Sequence, residues 1–437
     1  MNPSPPVLPR RRWPEKRLLP LLAAVLAAAP VTHGMAQTAA SGEARLQWET
    51  RPANAAGPLA EALALQPGLA AMSEEQAVTQ VEIRHSLRLP LPATAPRVSV
   101  QGQLLLRHEW PQDLAARDAS RVNELNLNVE AGAWAFSAGK KVLGWGVGYA
   151  FRPNDVVQQE ERRSLSGTSP EGRPLLQAEY FDADSAYSLV WVNPNTWSRS
   201  AERAPAAQES ALAARAYWRR GALDLHAFAR LGERTKASLG AAAAWVPGEA
   251  TEWHASLRWL QRHETWALAG DPLAGPSLGN PWQTQLLGRA AQALVGLNWT
   301  GEQQQSVLLE AWHDGNAPSD ATWHAWGTHS AVLRASPAPV AARAGNLAWQ
   351  TTPLNGPGLR QDNLFARLSW QPGAWQWWGD VLYHPADGGR SLSAGMQWQG
   401  DRWRLQASLR TYGGRQDSVL AQLPTRRQAL LAASLAF

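Results

Sequence analysis

The sequence predicts an all-β protein, a transmembrane antiparallel β-barrel of about 18 strands with 16 as the fallback count. Three observations predict it. Apolar and polar residues alternate over runs of about ten positions, many times along the chain. Very short turn signals between these runs alternate with long connections. Tryptophan dominates the aromatics, with 24 Trp against six Phe and six Tyr. A membrane–water interface favours such amphipathic rings.

The alternation is clearest in three runs. Over 81–89, Val81, Ile83, Leu87 and Leu89 share one face, and Glu82, Arg84, Ser86 and Arg88 share the other. Over 251–261, Trp253, Ala255, Leu257 and Trp259 oppose Glu252, His254, Ser256 and Arg258. Over 401–411, Trp403, Leu405, Ala407 and Leu409 oppose Arg402, Arg404, Gln406 and Arg410. A period of two places side chains on the two faces of a strand and cannot make a helix face.

Turn signals such as Arg220-Gly221, Pro247-Gly248, Thr300-Gly301, Pro372-Gly373 and Gly400-Asp401 join pairs of runs. The intervening connections, 144–174, 197–210, 264–283, 314–360 and 413–427, are long. Tight turns at one end and long loops at the other are the asymmetry of outer-membrane barrels. A first strand over 44–50, a last over 428–437, and eight hairpins centred near 94, 131, 183, 220, 248, 301, 372 and 400 give the 18. The first strand and the pair around 181–190 carry the weakest signals.

Residues 1–36 read as a secretory signal peptide, leaving 37–437 as a single barrel domain. Arg10, Arg11, Arg12, Lys16 and Arg17 form a basic region, an apolar stretch covers 18–31, and Gly34-Met35-Ala36 offers a cleavage site. The apolar stretch is too short, and too interrupted by Pro20 and Pro30, to span a membrane. With Glu15 this segment carries +4 of the chain's formal +5, so the remainder is close to neutral. Charge therefore gives no reason to expect nucleic acid as a partner. There is no cysteine, which removes disulfides, thiolate metal sites and cysteine nucleophiles. After the signal segment no run of 18 apolar residues occurs, so helical spans are not expected.

Ala429, Leu431, Ala433, Leu435 and Phe437 are apolar at every second position, ending on an aromatic. This resembles the strand by which the barrel-assembly machinery of Gram-negative outer membranes recognises its clients. The resemblance implies that machinery as a partner during biogenesis, with outer-membrane lipid and lipopolysaccharide as surroundings.

If the Trp-bearing face meets lipid, the opposite face lines the lumen. The pore-lining candidates are then Arg84, Arg88, Arg215, Arg219, Arg230, Glu252, Arg258, Arg367, Asp380, Arg402, Arg404 and Arg410. Charges inside a barrel are costly unless paired or hydrated. So many of them predict a wide, water-containing interior, in part stiffened by ion pairs. The arginine excess favours anions, and Arg402, Arg404 and Arg410 are expected to form one basic stripe.

The segment 139–155 leaves a strand, turns glycine-rich and runs into charged residues. Its glycines lack the spacing of a phosphate cradle. They are expected to turn the backbone sharply at the rim and send the loop inward. Lys140, Lys141, Trp145, Arg152, Asp155, Arg162 and Arg163 are the candidates for a constriction loop. Through Gly139, Lys140, Trp145, Gly146, Pro153 and Asp155 the segment resembles the alginate-export-like and related porin families. That resemblance covers about a tenth of the chain and implies an eighteen-stranded export or uptake channel for acidic sugars or similar anions.

The sequence thus points to an outer-membrane channel, porin or exporter, passing small hydrophilic solutes, in particular anions, or acidic polysaccharide. The alternatives are a non-conducting barrel in an export or assembly complex and an outer-membrane lipid-modifying enzyme. For the enzyme, the best local grouping is Trp312-His313-Asp314-Gly315-Asn316 with Ser306 or Ser319 nearby. A rim His-Asp pair is more often a loop contact, so no catalytic residue is assigned. His313, His324 and His329 lack ligand spacing, and no metal or cofactor is expected.

Overall fold

The computed structural model describes residues 37–69, 73–158, 169–193 and 208–437. The signal segment, Arg162 and Arg163 lie outside them. Among the described residues, β1 (Gln37–Thr50), β2 (Glu75–Arg88), β3 (Arg97–Pro111), β4 (Arg117–Ala131), β5 (Trp134–Lys141) and β6 (Arg173–Phe181) begin the wall. It continues through β7 (Ser185–Val192), β8 (Ala211–Arg220), β9 (Leu223–Gly232), β10 (Lys236–Trp245) and β11 (Thr251–Leu260). A small separate hairpin follows, β12 (His263–Leu268) with β13 (Trp282–Leu287). The wall resumes with β14 (Ala290–Thr300), β15 (Gln305–Asp314), β16 (Asp362–Trp370) and β17 (Trp375–His384). It ends with β18 (Gly389–Gln399), β19 (Trp403–Gly413) and β20 (Arg427–Ala436).

Apart from the β12–β13 hairpin these strands form one 18-stranded antiparallel sheet. It closes because β1 pairs with β2 along one edge and with β20 along the other, from Glu43↔Ala436 to Thr50↔Ala429. Closure satisfies every edge, which an open sheet in lipid cannot do. The 18-strand count and all eight short hairpins stand where the alternation placed them. β1 starts earlier than expected, at Gln37, and β6 and β7 are regular strands. Among the described residues no helix is long and apolar enough to cross a membrane.

The period-two pattern sorts the wall into two faces. Leu125, Leu176, Leu189, Leu212, Leu239, Leu257, Leu309, Leu368 and Leu405 are exposed on the outside, while Gln103, Gln177, Ser188, His254, Glu310 and Ser393 are buried inside. Trp134, Trp218, Trp245, Trp253, Trp299, Trp370, Trp375, Trp377, Trp398 and Trp403 all lie on the outward face beside short turns. They form an aromatic girdle at that one rim.

At the opposite rim the long connections are folded. Helix α1 (Pro58–Leu65) lies between β1 and β2, and α2 (Asp320–Ala335) and α3 (Val340–Trp349) lie between β15 and β16. The sequence was expected to be loop here, yet Trp323, Trp326, Ser330 and Leu333 are buried along one side of α2 and Ser319 caps its start. Trp282, Trp323, Trp326, Leu354, Leu359, Val419, Leu420 and Leu423 form an apolar core that joins these loops into a cap. The indole N–H groups are satisfied: Trp282 donates to Gln350 Oε1 (3.1 Å), Trp323 to Leu359 O (2.6 Å) and Trp326 to Gln350 O (2.8 Å). A salt bridge from Arg334 to Glu61 (2.6 Å) ties α2 to the β1–β2 loop.

Candidate functional site: the lumen and its inner loop

The connection from β5 to β6 turns inward. Gly139 and Gly146 both have φ of 128°, a region that side chains strain to enter. Trp145, Val156 and Val157 are buried against Leu175, Val190, Val192, Ala213, Phe228 and Ala242, all inward positions of β6 to β10. The loop is therefore packed onto the inner wall and not laid over the rim.

Four attachments hold it there. Glu310 accepts from the backbone N–H groups of Tyr149 and Ala150, each at 2.7 Å, and lies 2.9 Å from His254 Nε2. Asn154 donates to the β10 and β11 carbonyls of Ala241 (3.1 Å) and Leu257 (3.3 Å). It can do so because the facing wall residue is Gly240, where a Cβ would stand 1.9 Å from Asn154 Oδ1. Arg258 donates to Pro153 O (3.1 Å) and Ser238 Oγ (3.1 Å). Arg173 donates twice to Gln158 O, at 3.0 and 2.7 Å. Strand carbonyls, glycines and buried charges thus fix a segment with no regular structure of its own.

The constriction candidates take separate places. Trp145 is in the packed foot of the loop, with its backbone N–H donating to Asp155 Oδ1 (3.3 Å). Arg152 donates to Gly148 O (2.8 Å) and faces the lumen. Lys140 is salt-bridged to Glu171 (2.5 Å), and Lys141 donates to Ser137 Oγ and Gln177 Oε1 (3.0 and 3.1 Å). Both lysines therefore brace the root of the loop. Tyr149 donates its hydroxyl to Glu252 (3.0 Å). Burial and the Glu252 carboxylate push its pKa up to about 12.

The pore-lining candidates divide as well. Arg84, Arg88, Arg215, Arg219, Glu252 and Arg404 are on the inward face toward the short-turn end, Arg84 paired with Glu82 and Arg404 with Glu43 (2.5 Å). Arg230 and Arg258 point inward but are 5% and 6% exposed. Their guanidinium groups hold loops, Arg230 through Glu209 (2.7 Å). Arg402 lies in the turn before β19. The expected three-arginine stripe therefore does not form: Arg402 is off the strand, Arg404 is ion-paired, and Arg410 is six residues further along, donating to Ser393 Oγ (2.9 Å). Arg367 and Asp380 face each other across β16 and β17 at 3.9 Å, with Arg367 over the Trp378 ring (4.8 Å).

Glu209 anchors an outer loop on β9 and β10, accepting from Thr235 Oγ and from the N–H groups of Arg234 (2.5 Å) and Thr235 (3.1 Å). Burial opposes its charge, but Arg230 and these donors outweigh burial and lower its pKa. A lowered pKa stabilises the fold above the ordinary carboxylate range and is lost as pH falls through the folded value. Amide exchange at Arg234 and Thr235 should therefore stay slow from neutral pH to below 4.5, the ordinary value, and accelerate only in stronger acid. Acceleration already at mildly acidic pH would contradict the anchor.

Between the inner loop and the cap lies a chamber of about 930 Å³. Arg121, Arg152, Arg173, Arg230, Arg258, Arg262, Arg367 and Arg410 reach its wall, against Asp155, Glu171, Glu264, Asp314 and Asp380. Thr265, Trp266, Gly356, Leu359 and Leu420 belong to the cap side. Neither the chamber nor the inner-loop contact with β15 was readable beforehand, because an aperiodic loop does not announce its landing point.

The grouping considered for catalysis does not assemble. His313 is on the outward face, 2.8 Å from Asp362, while Asp314 is on the inward one. Ser306 is bonded to Ser369 (2.6 Å) at the far end of β15, and Ser319 caps α2. Among the described residues no group of three His, Cys, Asp or Glu is placed to hold a metal.

No family model matches the chain, and no curated protein matches it. Among solved structures, mutants of the porin of Rhodopseudomonas blastica are similar to it. Two of these are 12% and 10% identical, both with a TM-score of 0.44, covering 92% of this chain and 100% of theirs. An engineered protein described for asymmetric conductivity is 12% identical with a TM-score of 0.43. The closed barrel itself is established by this chain's own strand pairing.

Proposed function

We propose that the chain is an outer-membrane channel for small hydrophilic solutes, with a mild preference for anions. The observation that carries this reading is the inner loop. It runs inside the barrel from β6–β10 to Glu310 of β15 and leaves an arginine-rich chamber beneath the cap. A constricted barrel of this kind suits small molecules better than an extended polysaccharide, which would need a wide continuous tunnel. Outward leucines and the tryptophan girdle support a lipid setting, and the basic, then apolar, start of the chain supports export by a cleaved signal.

Purified protein in a planar bilayer should give stable stepwise chloride currents; persistent silence of folded protein would overturn the channel. The anion preference should reside in the chamber. Replacing Arg367 and Arg410 together with Gln is expected to shift the reversal potential toward cations at low salt. Near molar salt, where the Debye length is about 3 Å, the shift should vanish. Equal reversal potentials at low salt would remove these residues from selectivity.

Orientation can be checked separately. An epitope inserted at Pro337–Pro339, in the exposed connection between α2 and α3, should be labelled on intact cells, and one at Gly400-Asp401 should not. Labelling of the second site would invert the topology.

A further inference from the structure

Inward positions of a water-containing barrel are normally polar, because apolar surface left in water is unfavourable. On β15, β16 and β17 this pattern breaks. Leu308, Trp312, Phe365 and Leu382 all face the chamber, and Phe365 stands directly opposite Leu382. Phe151 of the inner loop stacks on Trp312 at 5.6 Å and 16°, extending the patch as an aromatic shelf. The patch is not sealed into a core: Phe365, Leu382 and Trp312 are only half-buried.

Two cationic groups adjoin this patch. Arg367 is the next inward residue after Phe365 on β16 and the register partner of Leu308. Arg410 reaches the same region through the row Arg367↔Asp380, Asp380↔Ser393 and Ser393↔Arg410. Asp380 opposes them, but the chamber as a whole carries more arginines than carboxylates.

We infer that the chamber binds small organic anions with an apolar body, the carboxylate lying toward Arg367 and Arg410 and the body against Phe365 and Leu382. This rests on the channel reading for its place in transport. An inorganic anion uses only the charges, and a neutral ring uses only the patch. A compact amphipathic anion uses both, and removes from water apolar wall that is otherwise exposed.

Isothermal titration of the folded protein with benzoate, acetate and benzyl alcohol tests the site directly. Benzoate should bind about tenfold or more tightly than either of the others. Arg367→Gln and Arg410→Gln should each weaken benzoate toward the level of benzyl alcohol. Phe365→Ser should bring benzoate down to acetate, and Leu382→Ser probes the same wall if that variant fails to fold. Equal affinities for benzoate and acetate in the natural protein would overturn the inference, as would benzoate binding that neither arginine variant weakens. Chloride conductance keeps the two readings apart. A conducting barrel with no benzoate preference retains the channel and loses the site. A silent barrel that binds benzoate in the stated order retains the site and loses the channel.

Discussion

Replacing Glu310 with Ala is expected to free the inner loop and raise the single-channel conductance about two- to threefold, since lumen residues set pore properties. The carboxylate is fully buried and receives the Tyr149 and Ala150 N–H groups as well as facing His254. Hydrogen bonds to a charged group are worth about 1.5–3 kcal/mol each, and the donors stranded by the change lose their partner inside the wall. Glu310→Gln keeps the size but has one acceptor oxygen and an NH2 group that would face an N–H, so an intermediate effect is expected. Limited chymotrypsin digestion offers an independent readout, because the bonds after Tyr149 and Phe151 lie in the anchored stretch and should become cleavable. Natural conductance steps together with an uncut loop in Glu310→Ala would show that the other attachments suffice.

A Gly42→Val substitution should sharply lower the yield of folded, heat-modifiable barrel. Gly42 and Phe437 exchange backbone hydrogen bonds, N–H to O at 2.8 Å and 3.0 Å, at the seam between β1 and β20. A Cβ on Gly42 would stand 2.3 Å from the Phe437 ring and 2.9 Å from Glu82 O. The ring could swing away, but the β2 carbonyl could not without disturbing the wall. Two such overlaps act at the one place where closure is decided. Phe437→Ser should cost less, since it empties the space above Gly42 and leaves the backbone pair intact. Gly42→Val in natural amount, resistant to denaturant at room temperature and heat-modifiable, would mean that the seam tolerates a side chain there.

The wall was legible because lipid and lumen impose opposite demands on alternate residues. Trp403, Leu405 and Leu409 against Arg404 and Arg410 reads as a strand without any knowledge of its neighbours. Arg402 misled because alternation continues past the point where β19 ends in a turn. Tryptophan carried two meanings at once. Trp245 and Trp253 sit across from each other on the outer surface, whereas Trp282, Trp323 and Trp326 build the cap core. Composition cannot separate these uses, although the helical spacing of Trp323, Trp326 and Leu333 could have. The inner loop was legible as an inward-turning element through its glycines. Its landing site was not, because Glu310 and His254 are more than a hundred residues away and look like any other lumen charges.

The girdle beside the short turns gives the barrel a fixed waterline on one side. Indole rings resist leaving the headgroup zone in either direction, so Trp245, Trp253, Trp299, Trp370, Trp375, Trp377 and Trp403 set the depth of immersion from that rim. A change in bilayer thickness must then be absorbed at the opposite rim, by local thinning or by tilt. The inner loop hangs from β5, β6 and β15 at a constant height above the waterline. Lipid composition should therefore move the cap relative to the membrane surface while leaving the distance from the short-turn mouth to the inner loop unchanged.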